Sequence, residues 1–215
     1  MITNLLVDLD GTLTDPKLGI IRCVQHALTE LGQPSPPEED LLWFIGPPLR
    51  ASFETLLEET GLDAERAVTI YRERFGTIGL LENEVFEGVV DLLAKQSAAD
   101  KRLFIASTKP HVYIGPILEH FDLHHWFERI YGSEIDGTRA VKTDLLRHIF
   151  AELDLVLEET VMIGDRIHDM DAAKAVGVTS IWVEYGYGDA AERDRAKPDH
   201  ICASVEELGG LLDTI

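Results

Sequence analysis

Short apolar segments alternate with amphipathic helical segments over residues 86–215, and no other feature constrains the fold of this chain as strongly. The apolar segments lie at about 103–106, 129–131, 160–163 and 179–183, and helical spacing of apolar residues separates them. Strands that are apolar throughout are typical of a parallel sheet with helices on both faces. The alternation therefore predicts an α/β fold built on a doubly wound parallel sheet.

Residues 16–82 show a different pattern, because helical spacing continues there without any strand-like segment. A first helix ends at Gly32, where a residue of positive φ is favoured, and further helices are predicted over about 49–60 and 63–78. We therefore expect an α/β core formed by residues 1–15 and 83–215. Residues 16–82 are expected to form a small all-helical domain inserted after the first strand.

The charge balance excludes one broad class of partner. The 215 residues include 39 acidic side chains against 19 Lys and Arg, a formal charge of −20, which would repel nucleic-acid phosphates. Only two cysteines are present, and no run approaches the roughly 18 apolar residues of a membrane span. We expect a cytoplasmic, soluble protein, monomeric or homodimeric, with no nucleic-acid or membrane partner.

Two carboxylates follow the first apolar strand. Asp8 and Asp10 stand two residues apart, the spacing that puts side chains on one side of a strand, and Gly11 then allows a turn. An Asp-Gly pair is also an ordinary turn signal, so the pair alone leaves a structural interpretation open. Carboxylates this close raise each other's pKa unless a cation lies between them, and Mg²⁺ prefers such oxygen ligands.

Polar side chains also follow the other predicted strands. Each has an ordinary structural explanation, such as a helix cap for Ser107 or a solvated surface position for Lys142. Ligands of open parallel sheets bind beyond the carboxyl ends of the strands, so the coincidence of these residues there predicts a single site. The residues are Ser107, Thr108 and Lys109 after strand 103–106, Lys142 at the start of a helix, and Asp165 and Asp169 after strand 160–163.

The order of these residues resembles the four motifs of the haloacid dehalogenase-like (HAD) phosphohydrolases. The matching segments are 8–12, 105–110, Lys142 and 164–169. The helical insertion resembles the C1-type cap of that family. Segments such as 46–49, 71–75 and 136–139 are similar to those of a bacterial subgroup described as 5′-nucleotidase-like or phosphoglycolate-phosphatase-like.

The resemblance implies a mechanism and a set of roles. Asp8 would attack phosphorus and form an aspartyl-phosphate, while Asp10 would protonate the leaving alcohol and later deprotonate water. Mg²⁺ would be held by Asp8, the backbone carbonyl of Asp10 and Asp165, with Asp169 in support. Lys142 would neutralise the phosphate. The phosphate-binding residues would include Ser107, Gly11, Thr12, Thr108 and Lys109.

The cap is expected to decide which small phosphate ester is the substrate. Gly46 and Arg50 precede and open a helix whose N-terminus could receive an anion, although a plain turn is the alternative. Tyr71 and Arg74 are expected on an exposed helix face, with contact to substrate as the alternative. A nucleoside 5′-monophosphate is the substrate that we expect first. The alternatives are a phosphoglycolate phosphatase, a sugar phosphomutase and a non-catalytic ligand-binding regulator.

Overall fold

The computed structural model describes residues 1–215, which divide into two compact units. One unit is Met1–Thr14 with Val85–Ile215, and the other is Asp15–Glu84. None of the helices combines the length and the apolar character that crossing a membrane requires. The strands are β1 (Asn4–Val7), β2 (Thr14–Asp15), β3 (Glu84–Val85), β4 (Arg102–Pro110), β5 (Arg129–Ser133), β6 (Thr160–Gly164), β7 (Thr179–Val183) and β8 (His200–Cys202).

Nine α-helices accompany the strands, and short 3₁₀ turns link several of them. The larger unit is an α/β fold with a parallel sheet, which confirms the predicted fold class. The helices are α1 (Lys17–Glu30), α2 (Leu49–Leu56), α3 (Ala64–Phe75), α4 (Val89–Ala98), α5 (His111–His120), α6 (Lys142–Glu152), α7 (Ile167–Val176), α8 (Ala190–Ala196) and α9 (Val205–Leu212).

Six parallel strands form the main sheet in the order β5-β4-β1-β6-β7-β8. The central strand β1 is buried along its whole length, as its apolar sequence requires. Leu6 is in register with Phe104 of β4 and Met162 of β6, and all three belong to one buried cluster with residues of α6 and α7. This register brings the carboxyl ends of β1, β4 and β6 to one edge of the sheet.

Strand β4 is longer than the sequence indicated. It runs to Pro110, so Ser107, Thr108 and Lys109 belong to its irregular end and not to a loop after Ala106. The register against β5 shifts between Ala106 and Pro110. A side-chain hydrogen bond joins the two strands there, because Ser133 Oγ donates to the Thr108 carbonyl at 2.7 Å.

Two predicted helix ends were wrong. Helix α2 ends at Leu56 and not near residue 60, and in the turn that follows the Thr60 hydroxyl donates to the Leu57 carbonyl at 2.8 Å. Helix α3 ends at Phe75, before Gly76, and not near residue 78. Strands β2 and β3, of two residues each, and helix α8 were not predicted.

The smaller unit, Asp15–Glu84, buries an aromatic core between its helices. Tyr71 is buried and stacks on Phe75 with a centroid distance of 5.4 Å, and Phe53 meets the Tyr71 ring edge-on. Arg74 forms an ion pair with Glu82 at 2.7 Å. The expectation that Tyr71 and Arg74 lie on an exposed helix face was therefore wrong, because both side chains stabilise the interior of this unit.

Candidate active site

Three buried carboxylates meet at the carboxyl edge of the sheet. Asp8 directly follows β1, Asp165 follows β6, and Asp169 lies in the first turn of α7. One carboxylate oxygen from each residue lies within 4.8 Å of the other two. Residues that are 161 positions apart in sequence thus form one acidic cluster beyond the carboxyl ends of β1 and β6.

Lys142 links two of these acids. It is the first residue of α6, its side chain is only 3% exposed, and its Nζ lies 3.1 Å from Asp8 Oδ1 and 2.7 Å from Asp169 Oδ1. Burial lowers the pKa of Lys142. The charges of Asp169 and Asp8 raise it by more than that, so the pKa lies above its ordinary value. The ammonium group therefore stays charged and fixes both carboxylates.

Asp165 and Asp169 take their remaining contacts from backbone amides. Asp165 Oδ2 accepts from the Tyr187 N–H at 2.7 Å, and Asp169 Oδ2 accepts from the Arg166 N–H at 3.1 Å. Burial, reinforced by the charges of Asp169 and Asp8, raises the pKa of Asp165 well above its usual range. Burial also raises the pKa of Asp169, to about 6, although the nearby Lys142 opposes that rise.

Glycines leave the space that Asp165 occupies. Gly11 has φ of +81°, and a Cβ at this position would overlap the carboxylate of Asp165. A Cβ on Gly186 would also collide with Asp165 and with the Gly11 carbonyl. Residues 186–188 do not match the dinucleotide-binding fingerprint, and neither Gly186 nor Tyr187 was predicted to belong to the site. The chain after β7 thus passes close to Asp165, where Gly186 has no side chain and the Tyr187 N–H donates a hydrogen bond.

The acidic cluster has the chemistry of a divalent cation site. Asp165 Oδ1 is buried and has no hydrogen-bond partner, a costly state for a carboxylate oxygen unless something binds it. When all are ionised, the four carboxylates of Asp8, Asp10, Asp165 and Asp169 carry two more charges than the ammonium groups of Lys109 and Lys142 that pair with them. Oxygen donors with this charge fit Mg²⁺.

Asp10 lies outside the three-acid cluster and pairs with a different lysine. Its Oδ2 lies 2.5 Å from Lys109 Nζ, and both side chains are largely buried. Burial raises the pKa of Asp10, while the charge and hydrogen bond of Lys109 oppose that rise. The sequence placed Lys109 among the phosphate ligands, whereas the structure brings its ammonium group to Asp10.

Small hydroxyl residues surround the same edge. Ser107 is buried, and its Oγ accepts from the Lys109 N–H at 3.3 Å. Thr12 is fully buried, its Oγ1 has no partner, and its carbonyl accepts from the Tyr185 hydroxyl at 3.1 Å. The structure therefore brings Asp8, Asp10, Gly11, Thr12, Ser107, Thr108, Lys109, Lys142, Asp165 and Asp169 to one edge of the core unit.

Glu192 supports the site but was missed in the sequence. Its Oε1 accepts from the Ile167 N–H at 2.8 Å and from Arg166 Nε at 3.0 Å, which anchors the start of α7 next to Asp169. Glu192 is itself held by Asp189, which caps α8 through the Glu192 N–H at 2.6 Å. The spacing Asp-x-x-Glu is a helix-start signal that could have revealed α8.

Gly46 and Arg50 belong to the smaller unit. Gly46 has φ of +107°, which suits the turn before α2. Arg50 is exposed and forms ion pairs with Glu54 at 3.0 Å and Glu65 at 2.8 Å. Its guanidinium must therefore leave two carboxylates to bind an anion, and its substrate-binding role stays a prediction.

The fold and the site together define an α/β enzyme with a buried acid cluster and two lysines at the carboxyl edge of a parallel sheet. Residues 5–183 match the family model described as haloacid dehalogenase-like hydrolase. The chain belongs to the haloacid dehalogenase-like hydrolase family, as the sequence motifs predicted.

Curated relatives carry different functional names. A protein named 5′-nucleotidase from Pseudomonas aeruginosa is 44% identical over 214 residues, 98% of this chain and 96% of the relative. A protein named tyrosine-protein kinase PtkA from Mycobacterium tuberculosis is 37% identical, covering 94% of this chain and 70% of the relative. A phosphoglycolate phosphatase from Shigella dysenteriae is 28% identical, covering 96% and 91% respectively.

A solved structure agrees with the fold over the whole chain. The crystal structure of a predicted phosphatase from Clostridium acetobutylicum has a TM-score of 0.93 and 35% identity, with 100% of both chains covered. Together with the relatives, this likeness identifies the protein as a phosphatase of the haloacid dehalogenase-like family.

Proposed function

We propose that this protein is a Mg²⁺-dependent phosphomonoesterase whose preferred substrate is a nucleoside 5′-monophosphate. The observation that carries the proposal is the buried cluster of Asp8, Asp165 and Asp169, bridged by Lys142 and flanked by Asp10. Phosphoryl transfer requires positioning and charge compensation, and this set of groups supplies both. The preference for a nucleotide rests on the relative named 5′-nucleotidase.

Asp8 acts as the nucleophile in the proposed mechanism. Its carboxylate attacks phosphorus, the bond from phosphorus to the ester oxygen breaks, and the proton of Asp10 goes to the leaving alkoxide. Water then attacks the aspartyl-phosphate, Asp10 takes its proton, and the bond to Asp8 breaks to release phosphate. Ser107 and neighbouring backbone N–H groups bind phosphate oxygens, and Lys142 neutralises their charge.

Mg²⁺ would be held by the side chains of Asp8 and Asp165 and by the backbone carbonyl of Asp10, with Asp169 in support. When bound, the ion supplies charge neutralisation for the anionic substrate and the carboxylates. Lys142 keeps Asp8 and Asp169 in place, and the Tyr187 N–H orients Asp165. These contacts preorganise the carboxylates before substrate binds.

A phosphate-release assay tests the reaction. We expect Asp8→Asn to lower kcat by roughly 10³-fold or more, because the nucleophile is lost, while the protein still folds. We expect a chelator to remove the activity and Mg²⁺ to restore it. Asp154→Asn, at an exposed position that makes no ion pair, should keep full activity. Activity that ignores the chelator or survives Asp8→Asn would refute the proposal.

A substrate screen tests the specificity. Nucleoside 5′-monophosphates, 2-phosphoglycolate and sugar phosphates should be compared by kcat/KM, and we expect nucleotides to give the highest values. Preference for 2-phosphoglycolate would support the function of the phosphoglycolate phosphatase relative. Because another relative is named a tyrosine kinase, the same screen should include a tyrosine peptide with ATP, followed by phosphotyrosine detection. Phosphopeptide formation without free phosphate would contradict hydrolysis as the main reaction.

A further inference from the structure

We propose that Lys109 is a positioning residue for Asp10, and that it aims the Oδ1 of Asp10 at the oxygen of the leaving alcohol. The sequence assigned Lys109 to the phosphate, and the two roles predict different kinetics. The inference rests on the proposed function, since it assumes that Asp10 delivers a proton to the leaving group.

The two oxygens of Asp10 have different surroundings. Oδ2 lies 2.5 Å from Lys109 Nζ, and the exposed fractions of the two side chains are 16% for Asp10 and 6% for Lys109. Oδ1 is buried and has no hydrogen-bond partner in the protein. Oδ2 is thus bound by the protein, and Oδ1 is left to contact a bound substrate.

The backbone that carries Lys109 is fixed on both sides. Its N–H donates to Ser107 Oγ at 3.3 Å, and the Thr108 carbonyl accepts from Ser133 Oγ at 2.7 Å. Its own carbonyl packs so closely on Gly132 of β5 that a Cβ on this glycine would lie 2.8 Å away. The irregular end of β4 therefore holds the backbone of Lys109 in one place, and the buried side chain carries the ammonium group to Asp10.

The chemistry of an ammonium group decides which oxygen of Asp10 reacts. A lysine ammonium only donates hydrogen bonds, so Oδ2 must accept, and a proton on Asp10 is carried by Oδ1. In the first step this proton moves from Oδ1 to the leaving alkoxide while the ester bond to phosphorus breaks. In the second step Oδ1 takes the proton of the attacking water. Without Lys109 the carboxyl group can rotate, and the proton no longer has a fixed direction.

The dependence of rate on the leaving group separates this role from phosphate binding. An alkyl phosphate releases a strongly basic alkoxide and needs the proton, whereas a nitrophenyl phosphate releases a weakly basic phenolate and hardly needs it. A lost phosphate ligand slows both kinds of ester equally. A misdirected general acid slows alkyl esters far more, by as much as about 10²–10⁴-fold, the usual contribution of general acid catalysis.

The experiment measures kcat/KM, which reports the step in which the leaving group departs, for a series from nitrophenyl to alkyl phosphates. We expect Lys109→Met to lower kcat/KM at least tenfold more for alkyl than for nitrophenyl esters, and Lys109→Arg to recover part of that difference. Lys174→Met, an exposed lysine on α7, is the matched control and should leave the series unchanged. A Mg²⁺-induced rise in melting temperature checks that each variant is folded.

Two results would overturn the positioning role: an equal loss over the whole series in Lys109→Met, or a change confined to KM. If Lys109→Met does not fold, the same comparison of kcat/KM over the ester series is made with Lys109→Arg, which keeps the charge but changes its geometry. Asp10→Asn separates this inference from the proposed function. If Asp10→Asn lowers kcat/KM more for alkyl than for nitrophenyl esters but the Lys109 variants do not, only the role of Lys109 is overturned. If Asp10→Asn lowers kcat/KM equally for both kinds of ester, the general-acid role of Asp10 is overturned.

Discussion

Asp165 concentrates the electrostatic cost of the site in one side chain. It is 1% exposed, one of its oxygens has no partner, and its burial beside Asp169 and Asp8 raises its pKa well above the usual range. Three glycines, Gly11, Gly186 and Gly188, pack so closely on Asp165 that a Cβ on any of them would overlap it. The protein therefore tolerates a buried carboxylate that is unfavourable without a bound cation.

We expect Asp165→Asn to raise the melting temperature of the metal-free protein, because it removes a buried like charge, and to abolish stabilisation by Mg²⁺. In the unsubstituted protein, Mg²⁺ at a hundred times its Kd should stabilise the fold by about 2.7 kcal/mol. For a chain of this size, that corresponds to roughly 5–10 °C in melting temperature. Thermal unfolding across a Mg²⁺ titration measures both effects.

Asp171→Asn is the matched control for this titration, since Asp171 is an exposed acid on the same helix as Asp169. It should keep the full Mg²⁺-induced shift. A metal-dependent shift that persists in Asp165→Asn would contradict the assignment of this residue to the cation site.

At the scale of the secondary-structure elements, the start of α7 shows how a helix end serves the site. The Asp169 carboxylate accepts from the Arg166 N–H, and Glu192 of α8 accepts from the Ile167 N–H and from the Arg166 side chain. The first amides of a helix have no partner within it, so these carboxylates satisfy them and fix the direction of the helix. Helix α8 thus holds the turn between Asp165 and Asp169.

We expect Glu192→Ala to lower the free energy of unfolding by about 1–3 kcal/mol, because a backbone N–H and a guanidinium group lose a buried partner. We also expect Mg²⁺ affinity to fall by roughly 10-fold or more, because the turn between two proposed ligands loosens. Urea unfolding and a Mg²⁺ titration measure the two effects separately.

The control for Glu192 is Glu206→Ala, an exposed acid in the first turn of α9, which should change neither quantity by much. Unaltered Mg²⁺ affinity in a destabilised Glu192→Ala would limit this residue to a purely structural role.

At the scale of the whole molecule, the large excess of acids makes the response to low pH depend on the few carboxylates that have strong partners. Glu82 is the clearest case: Arg74 and Arg22 bond its carboxylate, and the bond from Arg74 holds its pKa below the ordinary value of 4.5. These bonds join α1 and α3 to the end of the smaller unit. The folded state therefore binds a proton on Glu82 less readily than the unfolded chain does.

The sign of the pH effect follows from that difference. The stabilisation by Glu82 is fully present above its unfolded pKa, near 4.5, and it is lost as the pH falls through the lower folded pKa. We expect Glu82→Gln to lower the melting temperature at neutral pH and to make the further decrease below pH 4.5 shallower. Thermal unfolding over a pH series measures this.

Glu58→Gln provides the comparison, because Glu58 is an exposed acid of the same unit without an ion pair. Its acid response should match that of the unsubstituted protein. Equal acid slopes in Glu82→Gln and the unsubstituted protein would show that this ion-pair cluster contributes nothing to acid stability.

The sequence by itself determined the class of the fold and the identity of the reactive edge. Short apolar runs such as 160–163 are typical of buried strands, and residues that follow parallel strands meet at one edge of the sheet. The order of the motifs and their positions at strand ends therefore predicted a single site for Asp8, Lys142 and Asp165. Their roles in the reaction remain predictions for the experiments above.

Only the tertiary structure decided what each side chain contacts. The pairing of Lys109 with Asp10, the Tyr187 N–H on Asp165 and the anchoring of α7 by Glu192 each join residues at least 22 positions apart. Such contacts depend on strand register, on the irregular end of β4 and on the close approach of glycines. Periodicity along the chain encodes which elements form and which face they bury, whereas a contact between two strand ends is fixed only when the sheet has assembled.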